Sequence, residues 1–311
     1  MKFLLLVIIF LLQIINMSTK DSHLKIIDNY IEETDYSSLK PIIEKYKDQI
    51  AVSVVPLESH HTSFYFNKSE AFVSASMIKL LILCEFIGQI DNKNISLETN
   101  YTYKKEDYVG GAGEIQKMPF GTNFTYDTLA LYMIKYSDNI ATNVLIDVLG
   151  MENINKKSKE LGLKSTVLNR KMMKNGTENY MNTADIEIIL KGILYKTVGS
   201  ESMCERAMNY LLENDDNDAI VRGLPKGTIF AHKTGSLTKI RHDGGIVFSG
   251  IKYIIIILTK GFALENDANY LMGNISSVVY EIMESQYKIT NNNNIMKYSL
   301  IALIILISLL I

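Results

Sequence analysis

Strand-like sequence lies at two places far apart in the chain, and nearly everything between them is helical in pattern. Residues 50–67, "IAVSVVPLESHHTSFYFN", form two β-branched and aromatic runs around a polar turn, a predicted hairpin. Three further runs, "GTIFAHKTGSLTK", "DGGIVFSG" and "IKYIIIILTKG", follow one another between 227 and 261. From Ser76 to about Ala219 the apolar spacing predicts helices near 76–89, 126–136, 138–149, 183–195 and 202–213. Neither strand group can bury its apolar residues alone, so the two belong to one sheet. The expected fold class is therefore α/β in the α+β sense, an antiparallel five-stranded sheet flanked by helices. An all-helical lobe (76–225) is inserted into an α/β lobe (39–70 and 226–287). Outer helices are expected at 39–49, with Pro41 in the first turn, and at 267–287.

Both chain ends read as processing signals. The front, "MKFLLLVIIFLLQIIN", has a lysine and then an apolar run, the pattern of a signal peptide over residues 1–20. The back, residues 291–311, is an Asn-rich spacer followed by an apolar tail that is short for a spanning helix and ends without a polar flank. A tail exchanged for a glycosylphosphatidylinositol anchor and an uncleaved membrane tail are the two readings. Both place a secreted or cell-surface product, residues 21–290, at a membrane. Acceptor sequons at Asn67, Asn94, Asn100, Asn123, Asn175 and Asn274 fit a secretory route. A formal charge of -2 leaves no basic face for nucleic acid. Two cysteines allow one disulfide at most, and Cys84 lies on the apolar stripe Met77, Leu80, Leu81, Cys84, Ile87, as a buried thiol would. The histidines (His23, His60, His61, His232 and His242) have no metal-binding spacing, so no metal and no cofactor are expected. His242 beside Asp243 reads as a polar turn before a strand. A monomer is expected.

Ser-x-x-Lys occurs six times in the chain, so the pattern alone carries nothing. Only Ser76 opens a strongly apolar helix, with Lys79 on its side one turn later. A lysine can deprotonate a serine only if burial or a neighbouring cation depresses its pKa, so a second cation is required. Ser137-Asp138-Asn139 follows 61 residues after Ser76, at the start of a helix, and Lys233-Thr234-Gly235 follows 96 residues after that, on the first late strand. Each occurs once.

Three such motifs in this order make the chain resemble the penicillin-recognising serine hydrolases, most closely class A β-lactamases, over residues 39–287. "GAGEIQ" at 111–116 and the following helix are similar to that family as well. The resemblance implies a cleft between the lobes, with Ser76 as acylated nucleophile and Lys79 as its proton acceptor. Ser137 would relay the proton to the leaving nitrogen, and Asn139 would bond the substrate's side-chain amide. Lys233 and Thr234 would hold the substrate carboxylate, with Arg241 as a further contact unless it is a solvated surface residue. Backbone N–H groups of Ser76 and Ser236 would form the oxyanion hole, and a side chain at Gly235 would obstruct the acyl group. The implied substrate is a small β-lactam or a D-aminoacyl amide or ester.

One departure stands out. Class A enzymes carry a water-activating glutamate two residues after the arginine corresponding to Arg170, and here that place is Met172 in a shortened loop. Glu178 is either a displaced deacylation base or a structural partner of Arg170. The alternatives are a D-aminoacyl peptidase or esterase with the same motifs, or a non-catalytic cell-surface binding module. A binding module has no need of the Ser76 and Lys79 pair.

Overall fold

The computed structural model describes residues 34–58 and 61–309. The expected signal peptide, His23 and His60 lie outside the described residues.

A short 3₁₀ turn leads into α1 (Lys40–Lys45), with Pro41 in its opening turn. The hairpin follows as β1 (Ile50–Pro56) and β2 (Phe64–Phe66). A two-residue strand, β3 (Phe72–Val73), precedes a 3₁₀ turn at Ala75–Ile78 that runs directly into α2 (Lys79–Asp91). The inserted region continues with the small β4 (Asn100–Thr102) and β5 (Asn123–Thr125) pair. Helices α3 (Tyr126–Lys135), α4 (Asn139–Leu149) and α5 (Met151–Glu160) come next. Then β6 (Tyr180–Met181) pairs with β3, and α6 (Thr183–Leu194) and α7 (Glu201–Leu212) complete the insertion. The chain returns through β7 (Ile229–Leu237), β8 (Ile240–Phe248) and β9 (Tyr253–Thr259) and ends in α8 (Glu265–Leu309).

The expected five-stranded antiparallel sheet is present, in the order β2-β1-β9-β8-β7. The first strand pairs with the last along its full length, from Ile50 opposite Thr259 to Pro56 opposite Tyr253. Burial on β9 is continuous, and its two faces serve two cores. Ile254, Ile256 and Leu258 join the core of the helical insertion, whereas Tyr253, Ile255 and Ile257 join the core under α1 and α8. Period-two alternation thus divides one apolar run between two cores. Each fully buried isoleucine contributes about 1.5–3 kcal/mol, so β9 ties the lobes together.

Three local readings change. The stripe expected on α2 is no stripe: Lys79 to Ile87 are buried on every side, as in a helix at the centre of a lobe. Helix α5, "MENINKKSKE", was not expected, because its polar sequence buries only Ile154 and Ser158. Helix α8 continues through the Asn run expected as a linker; asparagine costs only about 0.7 kcal/mol per helical position, too little to stop a packed helix. Among the described residues no helix is long and apolar enough to cross a membrane. Cys84 and Cys204 are both buried free thiols.

Candidate active site

The site begins with the backbone before Ser76. Ala75 has φ +45°, a left-handed conformation costing a residue with a Cβ about 1 kcal/mol or more. Its neighbours impose it. Ser74 N–H donates to Asn179 O (2.8 Å), and the His242 ring meets Val73 O through Nε2 (2.8 Å). His242 Nδ1 accepts from Thr259 N–H (3.1 Å), which fixes the proton on Nε2 and makes that nitrogen the donor to Val73. Complete burial holds the imidazole pKa down at about 4, so the ring stays neutral. His242 and Asp243 therefore do not form the expected polar turn. Both are buried within β8, because that strand begins at Ile240; Asp243 contacts His232 Nδ1 (2.8 Å) and accepts from Ile220 N–H (3.0 Å).

Lys79 is fully buried, and its Nζ lies 3.0 Å from Ser76 Oγ, 3.0 Å from Ser137 Oγ, 2.6 Å from Ser137 O and 3.1 Å from Asn139 Oδ1. Four oxygens surround a group that has three hydrogens when charged. A neutral amine fits them: it donates to the two oxygens that can only accept, Ser137 O and Asn139 Oδ1, and turns its lone pair to a hydroxyl. Burial, and then the positive charge of Lys233, drive its pKa well below the usual lysine value, with Asp138 opposing. Lys233, also fully buried, donates to Thr234 O (2.7 Å). Desolvation brings its pKa to about 8, opposed chiefly by Asp216, so it remains a cation at neutral pH.

Ser137 and Asn139 are placed by the residue between them. Asp138 caps α4, accepting from Ile140 and Ala141 N–H (both 2.9 Å), and its other oxygen accepts from Ile115 N–H (2.8 Å). That bond pins the "GAGEIQ" loop, where Gly113 has φ +122° and an added Cβ would fall 2.3 Å from Asp138 Oδ2. Asn139 also donates to Gly110 O (3.1 Å).

On β7, Gly235 lies against the nucleophile's turn: a Cβ there would come within 3.1 Å of Ser76 N and 3.2 Å of Met77 N. Glycine is thus needed at 235 to leave the backbone at Ser76 and Met77 in place. Ser236 lines the cleft, its hydroxyl donating to Glu265 (3.0 Å). The cleft, about 490 Å³, runs past Ser76 and Asn139 to Met172 and the loop beyond it.

Two expectations for charged residues meet their geometry here. Arg241 is neither solvated nor directed at open space: it is buried and forms a bidentate pair with Asp216 (2.7 and 2.8 Å), with Nε donating to Asn269 (2.7 Å). Glu178 is 2.6 Å from Arg170 Nη2, the geometry of the structural one of its two readings. Met172 is buried at the cleft wall, its backbone held from both sides by Asn143: Met172 N–H donates to Oδ1 (2.8 Å) and Nδ2 donates to Met172 O (3.0 Å). Asn179 similarly binds Asn169 and Arg170 across the loop neck (2.7–3.0 Å). The sequence reading missed Asn143, Asn179 and Asp216. Only Asn143 carried a signal, one helical turn after Asn139 on the same face. Among the described residues, no group of three or more His, Cys, Asp or Glu could hold a metal ion.

The sequence profile described as "Beta-lactamase enzyme family" matches residues 36–283. This chain belongs to the β-lactamase enzyme family. It is 25% identical to Beta-lactamase 3 of Bacillus cereus over 263 residues, 80% of each chain. Among solved structures it is similar to PBP-A, one form of which is an acyl-enzyme complex with penicillin G in a mutant (25% identity, TM-score 0.73, 79% of this chain and 97% of that one). A β-lactamase from Sphaerobacter thermophilus shares the fold at 22% identity, with a TM-score of 0.75 over 80% of this chain and 97% of the other. The protein is a serine hydrolase of the β-lactamase type, and its family's fold is the antiparallel sheet and helical insertion described above.

Proposed function

We propose that this serine hydrolase opens β-lactams, or cleaves related D-aminoacyl amides and esters, through an acyl-enzyme on Ser76. The supporting observation is the buried Lys79 amine shared between Ser76 and Ser137 with no carboxylate among its hydrogen-bond partners. As Ser76 Oγ forms its bond to the substrate carbonyl carbon, its proton passes to the Lys79 lone pair. The carbonyl oxygen takes up negative charge between the N–H groups of Ser76 and Ser236. Collapse of the tetrahedral adduct breaks the C–N bond, and the nitrogen receives its proton from Lys79 through the Ser137 hydroxyl. An ester on Ser76 and a neutral Lys79 remain.

Hydrolysis of that ester needs a base for water. Met172 offers none, and Glu178 is turned to Arg170. Absence of a general base costs about a hundred- to ten-thousand-fold, so the acyl-enzyme accumulates. Penicillins then give a stoichiometric burst followed by slow turnover, whereas activated esters turn over faster. Intact-mass spectrometry of the purified protein after exposure to β-lactams and D-alanyl esters reads acylation, its site and its lifetime together. Rapid steady-state penicillin hydrolysis without a burst overturns the slow-turnover reading, and no adduct on Ser76 with any of them overturns the whole. The apolar chain ends and the sequons support export and tethering at a cell surface.

A further inference from the structure

Arg241, expected as a contact for a substrate carboxylate, already binds a carboxylate of the chain itself. Arg241 presents both outer nitrogens to Asp216 at 2.7 and 2.8 Å, and its Nε is committed to Asn269. The Thr234 side chain lies near the same Asp216 and helps to hold its carboxyl down. Ser236 Oγ donates to Glu265 (3.0 Å), which also lies 3.5 Å from Arg241 Nη1. Around Lys233, Asp216, Asp243 and Asp215 all favour the ammonium form, in that order, against its burial. The charges of Lys233 and Arg241 are thus met by carboxylates of the chain itself, with Asp216 paired to Arg241, and no surplus positive charge is left beside Ser236. The pairing is built into the fold: Arg241 is buried beside Ser236 in the β7–β8 register, and the paired fork is planar and bidentate. Asp216 stays ionised, because Arg241 holds its carboxyl down at about 2.

We propose that Asp216 is a specificity-determining residue that occupies the anion subsite from within, so that the preferred acyl donors are uncharged beside the scissile bond. The inference rests on the serine-hydrolase reading and narrows its substrate class: esters and amides whose leaving group bears no carboxylate acylate Ser76 faster than penicillins, whose leaving nitrogen has a carboxylate on the adjacent carbon. A carboxylate brought to Thr234 meets Asp216 as a like charge and must break the Arg241 pair to find a partner.

A matched pair of probes tests this, an N-acyl-D-alanyl glycolate ester and the corresponding glycolamide ester, which differ only in carboxylate against carboxamide. Acylation rates of Ser76 in the full chain, read by intact mass, are expected to favour the glycolamide at least tenfold. Asp216→Asn should shift the ratio toward the glycolate by about ten- to a hundredfold, as expected for removal of one close like charge. Glu265→Gln, at a more exposed position, should shift it the same way by about threefold, and serves if the first variant does not fold. A wild-type preference for the glycolate, or a ratio unmoved by the variants, overturns the inference while leaving the hydrolase intact. Failure of both esters to acylate Ser76 overturns the hydrolase reading, and this inference with it.

Discussion

Replacing Lys233 by methionine tests whether the second cation is as desolvated as the site requires. Its pKa is about 8 in the folded protein against 10.5 for a free lysine. Because the folded value is the lower one, the unfolded chain binds the extra proton between these limits. Stability therefore rises with pH through that window, and the deficit is gone above the unfolded value. For those two pKa values the linkage relation gives about 2 to 3 kcal/mol gained between pH 7 and pH 10. Lys79 is shifted the same way, in part by Lys233, so the substitution flattens its contribution too. Buried Cys84, pushed up to about 12, works in the opposite direction above pH 9, but it is present in both proteins and cancels in the difference. The chain has no tryptophan, so urea unfolding is best followed by far-ultraviolet circular dichroism at several pH values, checking that the denaturant slope stays constant. The variant should lose about 2 to 3 kcal/mol of the pH-dependent gain. A pH profile identical to wild type would refute both the desolvation of Lys233 and its influence on Lys79.

Ser76→Ala should abolish covalent labelling by a fluorescent penicillin while the circular dichroism spectrum stays native; labelling elsewhere would move the nucleophile. Met172→Glu should speed deacylation about a hundredfold, since it restores a base. It should also slow acylation at neutral pH, because a new carboxylate near Lys79 raises the lysine's pKa; pre-steady-state kinetics separate the two, and unchanged burst and turnover would count against the loop assignment. Gly235→Ala forces its Cβ toward the backbone at Ser76 and Met77. Loss of an oxyanion donor costs about a hundred- to a thousandfold, so acylation should fall by that amount, and near-normal rates would remove β7 from the oxyanion hole. Phosphatidylinositol-specific phospholipase C should release the protein from expressing cells; release only after deletion of residues 298–311 would favour an uncleaved tail.

The parts of this site legible in the sequence are those written as contiguous motifs. Ser76 with Lys79, and Ser137 with Asn139, are close in sequence and set by a single helix start each, so local rules find them. The sheet was legible because β9 and its neighbours are apolar runs bounded by turns. Asp216 was not, because it sits among Asp215, Asn217 and Asp218 in a stretch that local rules can only read as a loop. Its partner, Arg241, is 25 residues away on a strand, and their meeting depends on tertiary packing. His242 was misread for a related reason: beside Asp243 it looked like a turn, since nothing local reveals that Val73 O, 169 residues earlier, would meet its ring. Helix α5 escaped because its burial rests on two side chains.

The pairing of β1 with β9 has a consequence for how the protein comes into being. Residues 50–56 find their neighbours at 253–259, so the sheet's centre is closed by the last of its strands to leave the ribosome. Contacts of such long sequence separation make folding slow, because a large loop must close before they form. A nascent chain lacking β9 has no partner for the inner edge of β1, and its β7–β8 pair, with the His242 ring that meets Val73 O, is not joined to the first hairpin. The turn that carries Ser76 is therefore fixed only after β9 has been made, and a ribosome stalled before residue 253 holds a chain in which Ser76 is present but its surroundings are not yet assembled.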